Sequence, residues 1–541
     1  MKVRPSVPDT VDLLILAGTI LTLETVEGDA TGPRFVAVHD GVIVGVGGAD
    51  EAKAWRARAE RVIDLGDATL SAGIVDAHIH PVSGIGLTRG VDLTGVTTLE
   101  DTQQALAREA AATDDWVLGW GLDPNVFGDA SPSAHLFDNL PADRLAFVQL
   151  FDAHSAVASR AALERAGVTG RETFGDSSSI PVDASGAPTG YLLEHSALGL
   201  VQRLVPPLTF ADRTDALFGI LHGMAQTGVT IGQMLDASDP DAFDLFEALE
   251  SRGELPMRVR VSPMAAPGST EADWARLVDL QGRGGRRWEI QGIKLMIDGT
   301  IDNGTAWLRE PDTHGESTES LWLKPDEYAA AIAYFHARGI RTTTHAIGDR
   351  GIEFVARTLH GLERTGVTHR IEHIETLPDD VLELISEAGV AVSMQPTHCT
   401  HFTRADHTDN WSRRLGDERA DQGWRIRDLH ERVVVALGSD WPVAPYDARG
   451  TLAAAVLRRP AGRDEVTPVG PDQALTAAAA LDAHTRGWWR SVGEAGGTIE
   501  IGMPAYLTAF AANPLTAEPD AFAETEVLLT VVGGEVSVDR T

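Results

Sequence analysis

Two histidines, His78 and His80, stand one residue apart at the end of an apolar stretch, residues 72–77. Side chains at alternate positions of a strand project to the same side, so both imidazoles would line one wall of a cavity. Neutral imidazole nitrogens bind zinc-like divalent ions, and this pair could supply two of the ligands. H-x-H pairs also arise by chance, so whether this pair indicates a metal site depends on residues later in the chain.

Four further residues of ligand type occur at the ends of later strand-like segments. A single histidine in such a place could equally be a hydrogen-bonded core residue. Six ligand-type residues at successive strand ends make coincidence a poor explanation, and they would meet at one rim if the strands were parallel. The four are Lys294, His345, His373 and Asp440.

The segments that carry these residues alternate with helical patterns, for example at residues 211–227 and 379–388. Eight β–α repeats over this length predict an α/β chain folded as a (β/α)8 TIM barrel, in which catalytic residues lie at the carboxyl ends of the strands. The predicted strands are residues 74–80, 228–234, 257–261, 291–296, 339–344, 369–373, 390–394 and 432–437.

Both ends of the chain have the pattern of short β-strands, so the domain organisation is expected to be nested. We expect residues 1–70 and 486–541 to form one small β-sandwich, with the barrel spanning residues 71–485. The gap between the first two barrel strands is far longer than one crossover helix needs. Residues 95–205 are therefore expected to form an insertion above the carboxyl-terminal face of the barrel.

Composition excludes several classes of partner. The 541 residues carry a net charge of −34, which repels nucleic acid and anionic membranes. No apolar run is as long as a membrane-spanning helix requires.

Residues 1–4 and 13–18 resemble a weak signal peptide, but Asp12 and the absence of a clear cleavage site favour a folded strand and a cytoplasmic protein. The single cysteine, Cys399, excludes an intrachain disulfide. A homodimer agrees with general base rates.

Lys294 needs an explanation of its own, because it lies in a mostly apolar strand where an ammonium group is costly to bury. A neutral lysine is a poor ligand beside histidines. A lysine carbamate, formed with carbon dioxide, is an anionic oxygen donor that can bridge two metals, and a dry strand favours the neutral amine that carboxylation requires. The alternative is a salt bridge to Asp298 or Asp440, which would leave a mononuclear site.

The motifs together resemble the amidohydrolase superfamily, specifically its YtcJ-like branch, which includes N-substituted formamide deformylases. Departures from the family pattern are Ala72, Ser159 and Tyr506, none of them in the proposed metal site. The resemblance runs nearly end to end and rests on Val75–Pro81, Gly119–Gly121, Asp152–His154, Gly228–Thr230, Lys294 with Asp298–Gly299, His345–Arg350, Arg370–His373, Gln395–His398 and Gly438–Pro442.

The resemblance implies two divalent ions, with zinc as the expected metal. His78, His80, Lys294 and Asp440 would hold one ion, and His345 and His373 the other, with a carbamate on Lys294 bridging them. A hydroxide shared by the ions would attack an amide-type carbonyl, and Asp440 would be the general base. The substrate is expected to be a small N-substituted formamide or N-acyl compound.

Five further residues are candidates for substrate contact. His154 and His398 could equally belong to ordinary loop structure, and Trp120 and Asp123 could merely pack within the insertion. Their positions in motifs near the expected active face favour substrate binding. The set is Trp120, Asp123, His154, Asp298 and His398.

Three other functions remain open from the sequence. A single-metal deaminase usually carries H-x-x-E after strand five, whereas His345 is followed by Ala346, Ile347 and Gly348. An ester or lactone hydrolase would use the same attack on a carbonyl. A catalytically silent barrel used for binding is disfavoured, since such relatives lose ligands and this chain keeps all six.

Overall fold

The computed structural model describes residues 8–22, 34–128, 130–236, 239–253 and 255–541. At its centre lie eight buried core strands, whose apolar sequences are covered on both faces, as parallel strands require. In chain order, core strands one to eight are Ile74–Ile79, Val229–Met234, Arg258–Val261, Ile293–Met296, Thr342–Ala346, Arg370–His373, Ala391–Met394 and Val435–Leu437.

The core strands form two parallel sheets. Core strands one, two and three pair with one another, and a short strand, Trp288–Ile290, extends that sheet beside strand three. Core strands four to eight form the second sheet in chain order. The strand predicted at residues 291–296 is core strand four, which begins at Ile293. Gly292, with φ +88°, turns the chain between this strand and Trp288–Ile290, a short strand that the sequence did not predict.

Single parallel bridges join the two sheets at both junctions. Ile79 pairs with Trp441 beyond core strand eight, and Met264 pairs with Lys294 of core strand four. Among the described residues, the core strands therefore form two separate sheets that only single bridges connect at each junction. The two sheets do not form one closed ring of paired strands. The α/β class is confirmed, and the carboxyl ends of all eight strands face one side.

Amphipathic helices cover the sheets. In Asp349–His360 the apolar residues Ile352, Val355, Ala356 and Leu359 recur at helical spacing and are buried. Many helices begin at a Thr, Ser or Asp that accepts a backbone N–H, as Thr209 does from Asp212. Between the core strands lie Phe210–Gln226, Ala242–Ser251, Glu271–Asp279, Pro325–His336, Asp349–His360, Asp379–Ala388, Pro396–Phe402, Asn410–Leu415, Asp417–Ala420 and Ile426–His430; Pro81–Leu87 follows core strand one, and Ala448–Leu457, Ala477–Ala483 and Arg486–Ser491 follow core strand eight.

Strands from the two ends of the chain pair directly. Thr69–Ala72 lies antiparallel to Leu507–Phe510 in a sheet that also contains Thr19–Ile20, Val527–Val532 and Glu535–Asp539. A second sheet holds Val11–Leu16, Phe35–His39, Val42–Gly47 and Ala59–Asp64. The first two strands, Val11–Leu16 and Thr19–Ile20, belong to different sheets. The chain bends between them at Gly18, where a Cβ would lie 2.7 Å from the Asp67 backbone.

The segment after core strand one has a sheet and a core of its own. Leu93, Leu106 and Val148 are among its fully buried side chains. No helix in the described ranges is both long and apolar enough to cross a membrane. The segment contains the strands Val91–Asp92, Val117–Leu122, Ala146–Leu150, Ser155–Ala158 and Tyr191–Leu193, the helices Leu99–Ala112, Arg160–Ala166 and His195–Gln202, and the short 3-10 turns Pro124–Phe127 and Ala134–Phe137. The small helices Ala49–Arg56 and Pro519–Ala523 lie near the two ends of the chain.

Candidate metal centre

The carboxyl ends of the core strands open into a cavity of about 900 Å³. The segment after core strand one supplies part of its wall through Phe151, His154 and His195. The six residues predicted as metal ligands all line this cavity, although they come from five different core strands or the loops after them. They are His78, His80, Lys294, His345, His373 and Asp440.

His78, His80 and Asp440 form the tightest group. The two Nε2 atoms are 3.2 Å apart, and Asp440 Oδ1 lies 2.9 Å from His80 Nε2 and 3.4 Å from His78 Nε2. The Asp440 backbone N–H donates to the His78 carbonyl at 2.8 Å, which fixes the two chain segments together. Donor atoms at this spacing fit one ion, because two ligand bonds of about 2.0–2.1 Å place their atoms about 3.3 Å apart in a tetrahedron.

His373 and His345 lie beside this group. Both ring nitrogens of His373 are buried and have no hydrogen-bond partner among the described residues. The ring centroids of His345 and His373 are 4.4 Å apart. Donor atoms of His78, His373 and Asp440 lie within 4.8 Å of one another. Buried imidazole nitrogens without partners are costly, and a bound cation would satisfy them.

Lys294 points into the same space. Its Nζ lies 3.5 Å from His78 Nε2, and its side chain is almost fully buried. Burial lowers the pKa of Lys294 to about 8. Burial likewise lowers the pKa values of His78, His345 and His373 well below the usual range for histidine. The imidazoles are therefore neutral and the amine is readily deprotonated, which are the states that metal binding and carboxylation require. This donor set fits a divalent metal.

Glu372 is a residue of this centre that the sequence reasoning missed. Its Oε2 lies 2.8 Å from His78 Nδ1, and its Oε1 accepts a 2.5 Å hydrogen bond from Arg370. Arg370 also donates to the Ala77 carbonyl at 2.8 Å. With its Nδ1 proton held by Glu372, His78 presents an unprotonated Nε2 to the centre. The available signal was spacing, because Arg370 and Glu372 alternate along one strand and so share a face.

Asp76 ties the ends of core strands one and eight together. Its Oδ1 accepts the backbone N–H of His78 at 3.2 Å and of Ser439 at 2.9 Å. Burial raises the pKa of Asp76 to about 7. Its oxygens face the backbone, so the residue shapes the turn that carries Asp440.

His154 lines the cavity beside His345, with two neighbours, Glu194 and His195, that the sequence did not single out. Its Nδ1 is 2.9 Å from Glu194 Oε2, and its ring centroid is 5.2 Å from that of His345. Burial opposes protonation, but the Glu194 carboxylate raises the pKa of His154 to about 9. Burial lowers the pKa of the adjacent His195 to about 4. The segment therefore places a charged pair close to the predicted ligands.

Two of the five predicted substrate residues line the cavity, His154 and His398. His398 Nε2 is buried, has no hydrogen-bond partner among the described residues, and lies 3.7 Å from Asp440 Oδ2. It is thus placed to meet a bound molecule. Its position on Pro396–Phe402 follows from the short loop after core strand seven.

The other three predicted substrate residues, Trp120, Asp123 and Asp298, are not among the described residues that line the cavity. Asp123 accepts the Asn125 backbone N–H at 2.8 Å and begins a short 3-10 turn. Asp298 accepts three backbone N–H groups, from Trp307, Ile347 and Gly348. These contacts stabilise loops, including the loop directly after His345, and substrate contact by the three residues stays a prediction.

Carboxylates on the wall were also not expected from the sequence. Asp152, Asp236, Asp302 and Glu375 all line the cavity and are buried. They lie far apart in the chain, and although Asp152 belongs to the Asp152–His154 motif, the sequence did not indicate that the four would share one cavity wall.

Comparison with known proteins decides the family. The family model described as "Amidohydrolase family" matches residues 61–538, nearly the whole chain. The chain belongs to the amidohydrolase family. It is therefore a hydrolase of carbon–nitrogen bonds in a metal-dependent superfamily, and the predicted resemblance is confirmed.

Individual relatives agree in length as well as sequence. Putative amidohydrolase YtcJ of Bacillus subtilis is 26% identical over 535 residues, covering 95% of this chain and 97% of the relative. N-substituted formamide deformylase of Arthrobacter pascens is 22% identical, covering 98% and 99%. The solved structure of an uncharacterized metal-dependent hydrolase from Pyrococcus horikoshii superposes with a TM-score of 0.71 at 23% identity, covering 94% and 99%, and shows the shared fold.

Proposed function

We propose that this amidohydrolase cleaves an amide-type C–N bond in a small molecule, an N-substituted formamide or an N-acyl compound. The observation that carries the proposal is the convergence of six donor side chains on one buried cavity, with both nitrogens of His373 lacking partners. The relative from Arthrobacter pascens is an N-substituted formamide deformylase that aligns with almost the whole of this chain, and it supports this choice of substrate class.

The six residues divide into two ligand groups in this proposal. His78, His80 and Asp440 would hold one ion, and His345 and His373 the other, while Lys294 would bridge them as a carbamate. Two divalent ions, with zinc as the expected metal, would polarise the substrate carbonyl and lower the pKa of water to about 7.

Asp440 would act as the general base. Burial alone would raise its pKa, but the neighbouring His80 holds the pKa of Asp440 below the usual value for aspartate. Its carboxylate is therefore ionised at neutral pH. One oxygen would take a proton from the attacking water and pass it to the leaving nitrogen, so that the amine departs neutral.

The architecture in the proposal is a (β/α)8 TIM barrel of residues 71–485, carrying an insertion at about 95–205 and flanked by a β-sandwich of residues 1–70 and 486–541. The bridges at Ile79–Trp441 and Met264–Lys294 support closure of the two sheets into one barrel. Pairing of Thr69–Ala72 with Leu507–Phe510 supports the shared sandwich. A homodimer and a cytoplasmic location stay predictions.

The deaminase alternative is disfavoured by geometry at Gly348, the position where a shuttle glutamate would follow His345. A Cβ at Gly348 would lie 2.2 Å from the Trp307 carbonyl oxygen, so no side chain fits there. Ester or lactone hydrolysis would use the same carbonyl attack, so both classes of compound belong in the substrate panel.

The first test is an activity panel with the purified protein. We expect bound zinc and release of amine from N-substituted formamides or N-acyl compounds, measured beside matched esters and lactones. Asp440→Asn should lower kcat by about 10²–10⁴, whereas Asp417→Asn, a change at an exposed carboxylate, should have no effect. Full activity of Asp440→Asn with any substrate would exclude Asp440 as the base.

The carbamate has a separate test. Lys294→Ala removes the bridging oxygens and leaves a space for a small anion, so we expect activity to fall by at least about 10² and to recover partly in acetate or formate. Lys294→Met fills that space and should not be rescued. Equal behaviour of the two variants in acetate would contradict a bridging carbamate. Crystallographic electron density at Lys294 would test for the carbamate independently of activity.

A further inference from the structure

A buried carboxylate lies on the outer side of each histidine of the His78–His80 pair. Glu372 contacts His78 Nδ1 at 2.8 Å. Asp236 lies behind the other histidine, with its Oδ2 3.9 Å from His80 Nδ1. The first pair is a formed hydrogen bond, and the second distance is about one ångström longer than a typical N–H···O hydrogen bond.

Asp236 is not explained by the fold around it. It follows core strand two, is 5% exposed, and its Oδ2 accepts the Ser83 backbone N–H at 2.9 Å. Its Oδ1 is buried without a hydrogen-bond partner among the described residues. An asparagine would accept the same bond from Ser83 at no cost in buried charge, so stability alone does not favour a carboxylate here.

The orientation of His80 supplies the reason. Its Nε2 lies 2.9 Å from Asp440 Oδ1 and 3.2 Å from His78 Nε2, so this nitrogen faces the predicted metal ligands. Nε2 can bind a metal only without a proton, which places the ring proton on Nδ1. Nδ1 faces Asp236, and a small rotation of either side chain, or one bridging water, joins the two.

We propose that Asp236 is a positioning residue that accepts the Nδ1 proton of His80 and thereby presents Nε2 to the metal. The inference rests on the proposed metal-dependent function. It extends to His80 the arrangement that Glu372 forms with His78, so that each ligand of the pair has its own carboxylate. Asp236 acts through His80 and contacts neither metal nor reacting atoms.

The test is zinc affinity, measured by chelator competition on the full-length protein. Asp236→Asn should weaken zinc binding by about 10–100-fold, while the Tm of the chelator-treated protein stays close to that of wild type. Asp236→Glu, whose longer side chain spans the gap to His80, should recover most of the affinity. Asp244→Asn, the same change on the exposed side of Ala242–Ser251, is the matched control and should bind zinc as wild type does.

A double-mutant cycle tests whether Asp236 affects zinc binding through His80. In the His80→Ala background, Asp236→Asn should cause no further loss of zinc affinity. Unchanged affinity in Asp236→Asn, an additive loss in the His80→Ala background, or a raised KM with unchanged affinity would each overturn the inference. If the Asn variant does not fold, Asp236→Ala takes its place in the cycle, and its loss of zinc affinity must likewise disappear in the His80→Ala background. Failure of wild type to bind zinc would instead overturn the proposed function.

Discussion

At the scale of single residues, backbone conformation decides which side chains reach the cavity. His373 and Asp440 have φ of +74° and +60°. Such left-handed conformations cost non-glycine residues about 1–2 kcal/mol and persist where surrounding contacts enforce them. His373 directly follows Glu372 on one strand, yet both side chains face the centre because the chain turns at His373. Both left-handed conformations therefore occur at predicted metal ligands, where the backbone departs from regular strand geometry and turns the side chain toward the centre.

Asp302 offers a test of buried charge at the cavity wall. Burial raises the pKa of Asp302 from 3.8 to about 8. Between these values the folded protein keeps a proton that the unfolded chain releases, so this contribution to stability is present at low pH and is lost as pH rises through 8. Asp302→Asn should be more stable than wild type above pH 8 by about 1–3 kcal/mol.

The measurement is urea unfolding of both proteins from about pH 5 to about pH 9. The advantage of Asp302→Asn should shrink as pH falls toward 4, because the aspartate is then protonated in both states. A constant difference across this range would show that Asp302 does not titrate as a buried group.

At the scale of elements, the contact between core strands one and eight determines how closely His78 and Asp440 approach. Gly438, directly after core strand eight, packs against the His78 backbone. Asp76 reaches across the same contact to Ser439. The bridge at Ile79–Trp441 and the hydrogen bond from the Asp440 N–H to the His78 carbonyl join the two strand ends, so a displacement of either end would move the predicted ligands apart.

Gly438→Ala should therefore weaken both stability and zinc binding. Its Cβ would lie 2.7 Å from the His78 nitrogen, and overpacking of this kind costs about 1–3 kcal/mol. Gly450→Ala is the control, since that position in Ala448–Leu457 has no atom within 4 Å of an added Cβ and should gain about 0.5–1 kcal/mol. Urea midpoints and zinc titration measure both effects. Equal responses of the two variants would contradict a tight contact at Gly438.

At the scale of the whole molecule, strong acidity coexists with a large buried core. The net charge of −34 is spread over a chain whose two ends are joined in one sheet, where Thr69–Ala72 pairs with Leu507–Phe510. Mutual repulsion of surface carboxylates opposes the compact state, and salt screens it. Ion pairs that join distant segments, such as Arg260 with Glu494, act against this repulsion.

Stability should consequently rise with ionic strength. Between about 0.02 M and about 0.5 M NaCl the Debye length falls several-fold, and we expect the free energy of unfolding in urea to increase by roughly 1 kcal/mol or more. KCl at equal ionic strength should act alike if screening is the cause. A midpoint that falls with salt would mean that attractive ion pairs outweigh repulsion.

Local sequence was sufficient for most of the core elements and for choosing six residues that the structure brings to one cavity. Apolar runs bounded by turn residues predicted the core strands to within a few positions, and Asp379–Ala388 was predicted with its observed bounds. The residue types of His78, Lys294 and Asp440 pointed to metal chemistry because few other roles explain them at strand ends. These inferences succeed because strand period, side-chain chemistry and turn preference are properties of neighbouring residues.

Contacts between distant segments were decided only by the tertiary structure. The sequence did not indicate that Glu372 would bond His78 or that Asp236 would face His80, since each pair joins separate core strands. Nor did it indicate that Asp298, a predicted substrate residue, would accept three backbone N–H groups. The physical reason is the same in each instance: a side chain's partner depends on how whole strands and loops pack together, and no local periodicity encodes that packing.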